Sequence, residues 1–446
     1  VDWILPQLKG FESKIAGFEF EREWTYLEFV EEVSKIRKSL SVLDSSKPQV
    51  IFLSIESTLW SLAAILAVAH TPHIILPISK EVPLLEQKQQ MRIAGASFRL
   101  TQEGIKPLTE VPLSGPLLHK LSKRAHAGLI LFSSGTSGEP KGMLHDLVEF
   151  LKRFQRVQPR EDRLVQLLLP DHVGGLDSAF RTIFSGSALI IPLTRSPEDV
   201  TQAIAVYSAN ILPASPTFLN LLLLSGALES SNYTSLKVIA YGAELMPLAL
   251  LKRLNRAFPE VELQQKFGTS ETGAIRIKGA GNQSLDFRIN DKDVEWKVVE
   301  DELWLRTSSR ILGYLNADES SLEADGWYRT GDAVEQQGDG WLRIKGRQSA
   351  VINVGGQKVH PSEVEALLDE LADVESVTVF GEFSPITGEQ VACRIVTKAK
   401  EKVGTWKRKI RKHCRGRLAN WKIPVAVYLE TEIEMTQRLK RTSQGA

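Results

Sequence analysis

The sequence predicts an α/β protein: a large N-terminal domain of parallel sheets flanked by helices, carrying a small β subdomain, and then a small α+β C-terminal domain. Three observations carry this expectation. Short β-rich apolar runs alternate with longer helical patterns through most of the chain, which implies a parallel sheet covered on both faces. After about Gly268 the pattern changes to apolar–polar alternation between Gly- and Asp-rich turns. From Arg347 onward about a hundred residues hold their own helix and strand signals, enough for a separate core. The expected domains are residues 1–346 and 347–446.

In chain order, "QVIFLSIE" (49–56) reads as a buried strand and "TLWSLAAILAVAHT" (58–71) as the helix after it. "HIILPIS", "RLVQLLLP", "SALIIPL" and "LKVIAYGAE" are further strands. "SPEDVTQAIAVYSAN" opens with a serine N-cap and an acidic first turn before its helical periodicity. "DVEWKVVEDELWLRT" and "DGWLRIKGR" alternate in strand fashion and form the β subdomain. The last unit contains a helix ("HPSEVEALLDELADV"), strands ("SVTVFGE", "VACRIVTK") and a basic helix over Lys407 to Arg417. In that helix Trp406, Ile410, Cys414 and Leu418 recur at helical spacing, so its charges read as a solvated face. In sheets of this kind ligands sit beyond the carboxyl ends of the strands.

Composition narrows the class. Of 446 residues 43% are hydrophobic and 24% charged, which suits a large globular core. A formal net charge of +1 gives no global field for nucleic acid or an anionic membrane. Two cysteines, Cys393 and Cys414, cannot build a disulfide framework and lack metal-ligand spacing, so a cytoplasmic setting is expected. The longest apolar run, "WSLAAILAVA", is about half a membrane span. The first residues show no basic region followed by an apolar core, so no signal peptide and no integral membrane segment are expected.

The chemistry begins at "SSGTSGEPKG" (Ser133 to Gly142), directly after the apolar "AGLILF". Glycines let backbone N–H groups approach an anion, hydroxyls donate further hydrogen bonds, and Lys141 supplies charge. The Walker spelling is absent, since Gly142 and not Ser or Thr follows Lys141. The same residues are also ordinary hairpin-turn chemistry, and composition alone leaves the two readings level. "FGTSETG" (Phe267 to Gly273) puts hydroxyls and a carboxylate in a loop after a strand. "YRTGD" ends on Asp332, an acid suited to accept from two adjacent ribose hydroxyls. "IKGRQSAVINVGGQKVHPSEVE" carries Arg347, a glycine pair and a helix start. Each alone is equally a turn.

Taken in order, "LILFSSGTSGEPKGM", "YGAE", "FGTSETG", "YRTGD", "GRQSAVINVGGQKVHPSEVE" and a C-terminal lysine resemble the acyl-adenylate-forming, AMP-binding enzymes. The resemblance covers nearly the whole chain, thinning over the first hundred residues. "LPDHVGGL" is similar to the acyl-CoA synthetase and aryl-CoA ligase branch, and the chain's length to the compact succinylbenzoate–CoA ligases. The amino-acid-activating branch carries an aspartate near the place where Val173 stands here.

The resemblance implies a two-step reaction. A small-molecule carboxylate attacks the α-phosphate of ATP to give acyl-AMP and pyrophosphate, and the thiol of CoA, or of a carrier protein, then displaces AMP. The protein supplies orientation and charge stabilisation. The family's loop would hold the β- and γ-phosphates through Ser133, Ser134, Gly135, Thr136, Ser137, Gly138 and Lys141. Gly242, Ala243 and Glu244 would flank the adenine. In "FGTSETG" the cofactor-binding residues would be Phe267, Gly268, Thr269 and Ser270, with Thr269 or Ser270 near the α-phosphate and Glu271 near Mg²⁺. Asp332 would bind the ribose, Arg347 the ribose or phosphate, and His172 would stand beside the acyl pocket. Residues 347–446 would form a mobile lid, with Gly355 and Gly356 along the route of the pantetheine arm. Ser349 stands where relatives place Asp or Lys as the hinge; a hinge needs only to tolerate a φ/ψ change, which serine does. A non-catalytic nucleotide-binding relative is the alternative outside enzymes.

The lysine that would bridge the α-phosphate and the carboxylate maps to Lys440, in "KIPVAVYLETEIEMTQRLKR", with Leu439 replacing a usual glycine and Arg438 and Arg441 adjacent. Lys440→Ala is expected nearly to abolish pyrophosphate release while leaving thioester formation from supplied acyl-AMP largely intact. Surviving adenylation would assign the role to Arg438 or Arg441, or show that the tail does not align with the family's pattern in this way.

Overall fold

The computed structural model describes residues 1–108, 116–133, 139–229, 232–317 and 321–433. Two seven-stranded sheets dominate the N-terminal part. One runs, in spatial order, Glu262–Gln265, Val238–Tyr241, Ile211–Ala214, Arg163–Val165, Ala188–Ile191, Ile15–Glu19 and Arg22–Thr25. All its pairings are parallel except the last. The other runs Gly313–Tyr314, Lys141–Asp146, Gly128–Ser133, Ile74–Ser79, Val50–Ile55, Ala96–Thr101 and Gly104–Pro107, parallel in the middle and antiparallel at both edges.

The main core lies between these sheets. Ile51, Leu53 and Leu129 from one meet Leu164, Leu189 and Ile191 from the other, with helices filling the layer. The helix Leu59–Ala69 is buried at every residue but Trp60, so its apolar run serves this layer. Its start is set by Thr58, whose side chain accepts from Ser61 N–H. The helix Tyr26–Leu40 begins with a reciprocal capping box between Thr25 and Glu28. Pro197–Tyr207 begins as expected, with Ser196 accepting from Asp199 N–H and proline at the first position.

The alternating stretch after residue 268 forms a six-stranded sheet in which every pairing is antiparallel. The run "DVEWKVVEDELWLRT" is two strands, Val294–Val299 and Glu302–Thr307. Glu300 and Asp301 both take positive φ (50° and 64°), the conformation a two-residue hairpin turn needs. A separate core, from Ile352 to Val427, joins a five-stranded sheet to the helices Pro361–Leu368 and Val403–Cys414. In the latter, Trp406, Ile410 and Cys414 are buried, and the basic residues form its outer face. Cys393 and Cys414 are free and buried. No helix among the described residues is long and apolar enough to cross a membrane.

One glycine pair in this frame has unequal duties. A Cβ on Gly175, inside the helix Val173–Phe184, would lie 1.9 Å from the carbonyl oxygen of Leu169. On Gly174 it would meet only a Leu168 methyl at 3.8 Å. Gly175→Ala is therefore expected to destabilise the protein by about 2 kcal/mol or more. Gly174→Ala should be neutral or stabilising by up to about 1 kcal/mol. Chemical denaturation midpoints of the two variants check the contrast.

Candidate functional site

Three strand-end turns converge on one cavity of about 700 Å³. The first belongs to the hairpin Gly128–Ser133/Lys141–Asp146, in which Ser133 pairs with Lys141 at the base of the loop. The strands on either side of the loop form a hairpin, and Ser133 and Lys141 at its base stand in the cavity wall. Asn316 clamps this base. Its Oδ1 accepts from Gly142 N–H at 2.9 Å and its Nδ2 donates to the Pro140 carbonyl at 3.0 Å.

The second turn is the tip of the hairpin Phe267–Thr269/Gly273–Ile275. Thr269 is buried and its hydroxyl accepts from Thr272 N–H at 3.1 Å, which closes the tip and leaves Ser270 and Glu271 in the cavity wall. Phe267 stacks on Phe287 in the core of the β subdomain and does not line the cavity. Glu271 is fixed at both ends: its carbonyl accepts from Ile311 N–H at 2.8 Å and its Oε1 from the Tyr314 hydroxyl at 2.9 Å.

The third turn joins the β subdomain to the last unit. Asp332 lies opposite Arg347 in the ladder, with the guanidinium Nε 3.2 Å from the carboxylate, and Arg347 also donates to the Thr330 carbonyl. Burial pushes the Asp332 carboxyl up to about 6; Arg347 opposes the shift, and Glu271 and Glu302 add to it. Glu302, itself buried, accepts from Gly331 N–H at 2.8 Å and from the Trp304 indole at 3.1 Å, and so shapes the turn that presents Asp332.

A larger crevice of about 1600 Å³ lies between helix Leu248–Ala257 and the unit after residue 347. Ala243 and Glu244 line it, and Arg347 and Ser349 line both spaces. Gly242 is required by a close approach, because a Cβ there would lie 2.9 Å from the Lys266 carbonyl. Ala243 holds φ +67°, a strained conformation for a residue with a side chain. The Glu244 carboxylate accepts from Thr217 N–H at 3.1 Å, at the start of the helix Pro216–Leu224.

Other expected residues lie apart. His172 is half-buried at the N-cap of Val173–Phe184 and lines neither space. Gly355 and Gly356 form the exposed turn between Ile352–Val354 and Gln357–Val359, at φ +57° and +89°, and also line neither. Ser134, Gly135, Thr136, Ser137, Gly138 and Lys440 lie outside the described residues.

Glu302, Tyr314 and Asn316 were not legible as site residues. "GYLN" spells no phosphate or metal pattern, and Tyr314 reaches Glu271 only because Gly313–Tyr314 pairs with Met143 and Leu144. The donor set suits a hard divalent cation with phosphate oxygens. Of the cavity's carboxylates, Glu271, Glu300 and Glu302, the last is engaged by backbone, indole and guanidinium, whereas Glu271 at the hairpin tip bonds to the Tyr314 hydroxyl and shares the wall with Lys141 and Ser133.

Comparison with known proteins bears on what this arrangement is. Residues 7–303 match the model of the AMP-binding enzyme family, and residues 363–440 that of the AMP-binding enzyme C-terminal domain. The chain is 28% identical to an indoleacetate–CoA ligase of Aromatoleum aromaticum over 69% of its length and 64% of the relative's. It is 24% identical to a 2-succinylbenzoate–CoA ligase of Bacillus cytotoxicus, over 97% of this chain and 95% of the other. Among solved structures, the anthranilate–CoA ligase AuaEII in complex with anthranoyl-AMP superposes with a TM-score of 0.81 at 19% identity, covering 98% of this chain and 95% of that one. At that identity the superposition establishes the fold.

The raised Asp332 carboxyl makes stability depend on pH. In the folded state it holds its proton more tightly than in the unfolded chain, so the cost of burying the carboxylate is absent at low pH and grows as pH rises toward and through about 6. Asp332→Asn is expected to gain stability relative to the parent as pH rises from about 4 to about 6, and to hold that gain above, by on the order of 2 kcal/mol, read from denaturation midpoints.

Proposed function

The chain belongs to the AMP-binding enzyme family, and from that premise we propose that it is an ATP-dependent carboxylic acid:CoA ligase that works through an acyl-AMP. The observation that carries this reading is the single cavity walled by Ser133, Lys141, Glu271 and Arg347, with Asp332 paired behind Arg347. Ser133 and Lys141 at the hairpin's mouth suit the terminal phosphates of ATP, and Ser270 suits the α-phosphate. Asp332 and Arg347 suit the ribose, and the strained Gly242–Glu244 turn suits the adenine. Glu271 would hold Mg²⁺, which when bound neutralises charge on the phosphates.

In the first step a carboxylate oxygen of the acid attacks the α-phosphorus, and the bond to the β-phosphate oxygen breaks to release pyrophosphate. The chain's own part is to align the acid with that phosphorus and to place cationic groups where negative charge builds; we assign Lys440 and Lys141 to this. In the second step the thiolate of CoA attacks the acyl carbon and AMP leaves. That two curated relatives are named as CoA ligases supports CoA over a carrier protein as acceptor. We place the boundary of the lid between residues 346 and 347 with Ser349 as hinge, a division supported by the separate core of the last unit and by the position of Ser349 between the two spaces. Two free, buried cysteines suit a cytoplasmic setting.

The test is pyrophosphate release across fatty, aryl and keto acids, with and without CoA. Release dependent on one acid class, with thioester accumulating on addition of CoA, is the expected result. Release without thioester would move the acceptor to a carrier protein, and silence with every acid would favour a nucleotide-binding relative without catalysis.

A further inference from the structure

Arg153 follows the helix Leu147–Lys152, which grows directly out of the strand Lys141–Asp146 through an Asp146 N-cap. Its side chain is 17% exposed and touches three elements. Nη1 donates to the Ala274 carbonyl at 3.1 Å and lies 3.5 Å from the Asp177 carboxylate on the helix Val173–Phe184. The guanidinium also lies over the ring of Phe150, 5.3 Å from its centroid. Facing it is Gly273, at φ +81°, where a Cβ would come within 2.9 Å of both terminal guanidinium nitrogens. The glycine that the Glu271 hairpin needs for its turn therefore also leaves the room that Arg153 fills.

The hairpin is gripped from two directions. On one side Ser309, Ile311 and Tyr314 bond to Thr272 and Glu271; on the other stands Arg153. Arg153 connects the hairpin to the helix that continues the Lys141 strand without passing through Tyr314. An ion pair with Asp177 alone would need only a charge. Here Nη1 serves both the carbonyl and the carboxylate while the flat guanidinium lies over the Phe150 ring, a place a planar, delocalised cation fills better than a compact ammonium.

We propose that Arg153 is a positioning residue that fixes Glu271 relative to Lys141 and so sets how the cavity holds a metal-bound nucleotide. The inference rests on reading the cavity as the MgATP site. The experiment compares Arg153→Met, Arg153→Lys and Gly273→Ala with the parent in the full-length chain. Calorimetry measures binding of MgATP and of ATP in excess chelator, and each half-reaction is assayed separately. MgATP affinity and adenylation rate should fall by roughly tenfold or more in all three, the usual cost of removing a group that orients a metal ligand. Metal-free ATP binding, and thioester formation from supplied acyl-AMP, should match the parent. Thermal unfolding confirms that each variant is folded, and Gly273→Ala keeps the question open to test if Arg153→Met is not. Parental MgATP affinity in Arg153→Met, or full rescue by lysine, overturns the proposal. So does a loss of metal-free ATP binding and both half-reactions in step with a lowered melting temperature, which marks a purely structural ion pair. A parent protein that binds no MgATP removes the nucleotide reading itself, and this inference with it.

Discussion

The strand Lys141–Asp146 is the member on which the site depends. It returns antiparallel from Gly128–Ser133 and so reverses direction at what would otherwise be the open edge of a parallel sheet. Its far edge then pairs with the two-residue strand Gly313–Tyr314. That short ladder delivers the Tyr314 hydroxyl to Glu271 and the Asn316 amide to the hairpin base. Its last residue, Asp146, caps the helix that leads to Arg153. One strand thereby sets the spacing between a lysine on one wall and a carboxylate on the other.

Electrostatic preorganisation is visible before any ligand is considered. Glu271, Glu302, Asp332 and Arg347 are held by hydrogen bonds or ion pairs to backbone or to neighbouring side chains, so these groups need little reorganisation when charge develops. Asp332 is the costly member: burial alone would favour its neutral form, and Arg347 beside it only partly offsets that. A carboxylate kept in so dry a place is poised for hydroxyl partners that can satisfy its lone pairs. The same pair joins the last two strands of the six-stranded sheet at the point where the chain leaves it for the core that begins at Ile352.

Much of this was legible locally. Strand and helix alternation, the serine and threonine caps, and the solvated face of the basic helix all follow from side chains acting on their own segment. The glycine- and hydroxyl-rich segments were legible as a set because each carries residues able to approach an anion, although "YRTGD" proves to lie within the strand Tyr328–Gln336 and is not a turn at its end. Where local reading failed, the determinant was not local. The run 293–307 was read as continuous alternation because the hairpin turn at Glu300 and Asp301 uses two acidic residues at positive φ and no glycine. Tyr314, Asn316 and Glu302 carry ordinary polar side chains whose partners lie far away in sequence.

The fold class, the order of the glycine- and hydroxyl-rich turns and the polar groups they offer were written in the sequence, because backbone conformation and hydrogen-bonding groups are properties of short segments. Tertiary structure alone decided which turns share a cavity, since convergence depends on sheet order and on pairings between distant strands. It left Ser270 facing the cavity while Thr269 closes its own turn, set His172 and the Gly355–Gly356 turn apart from both spaces, and fitted Arg153 against a glycine some 120 residues away. Those are matters of packing, in which a side chain's role is fixed by what fills the space beside it.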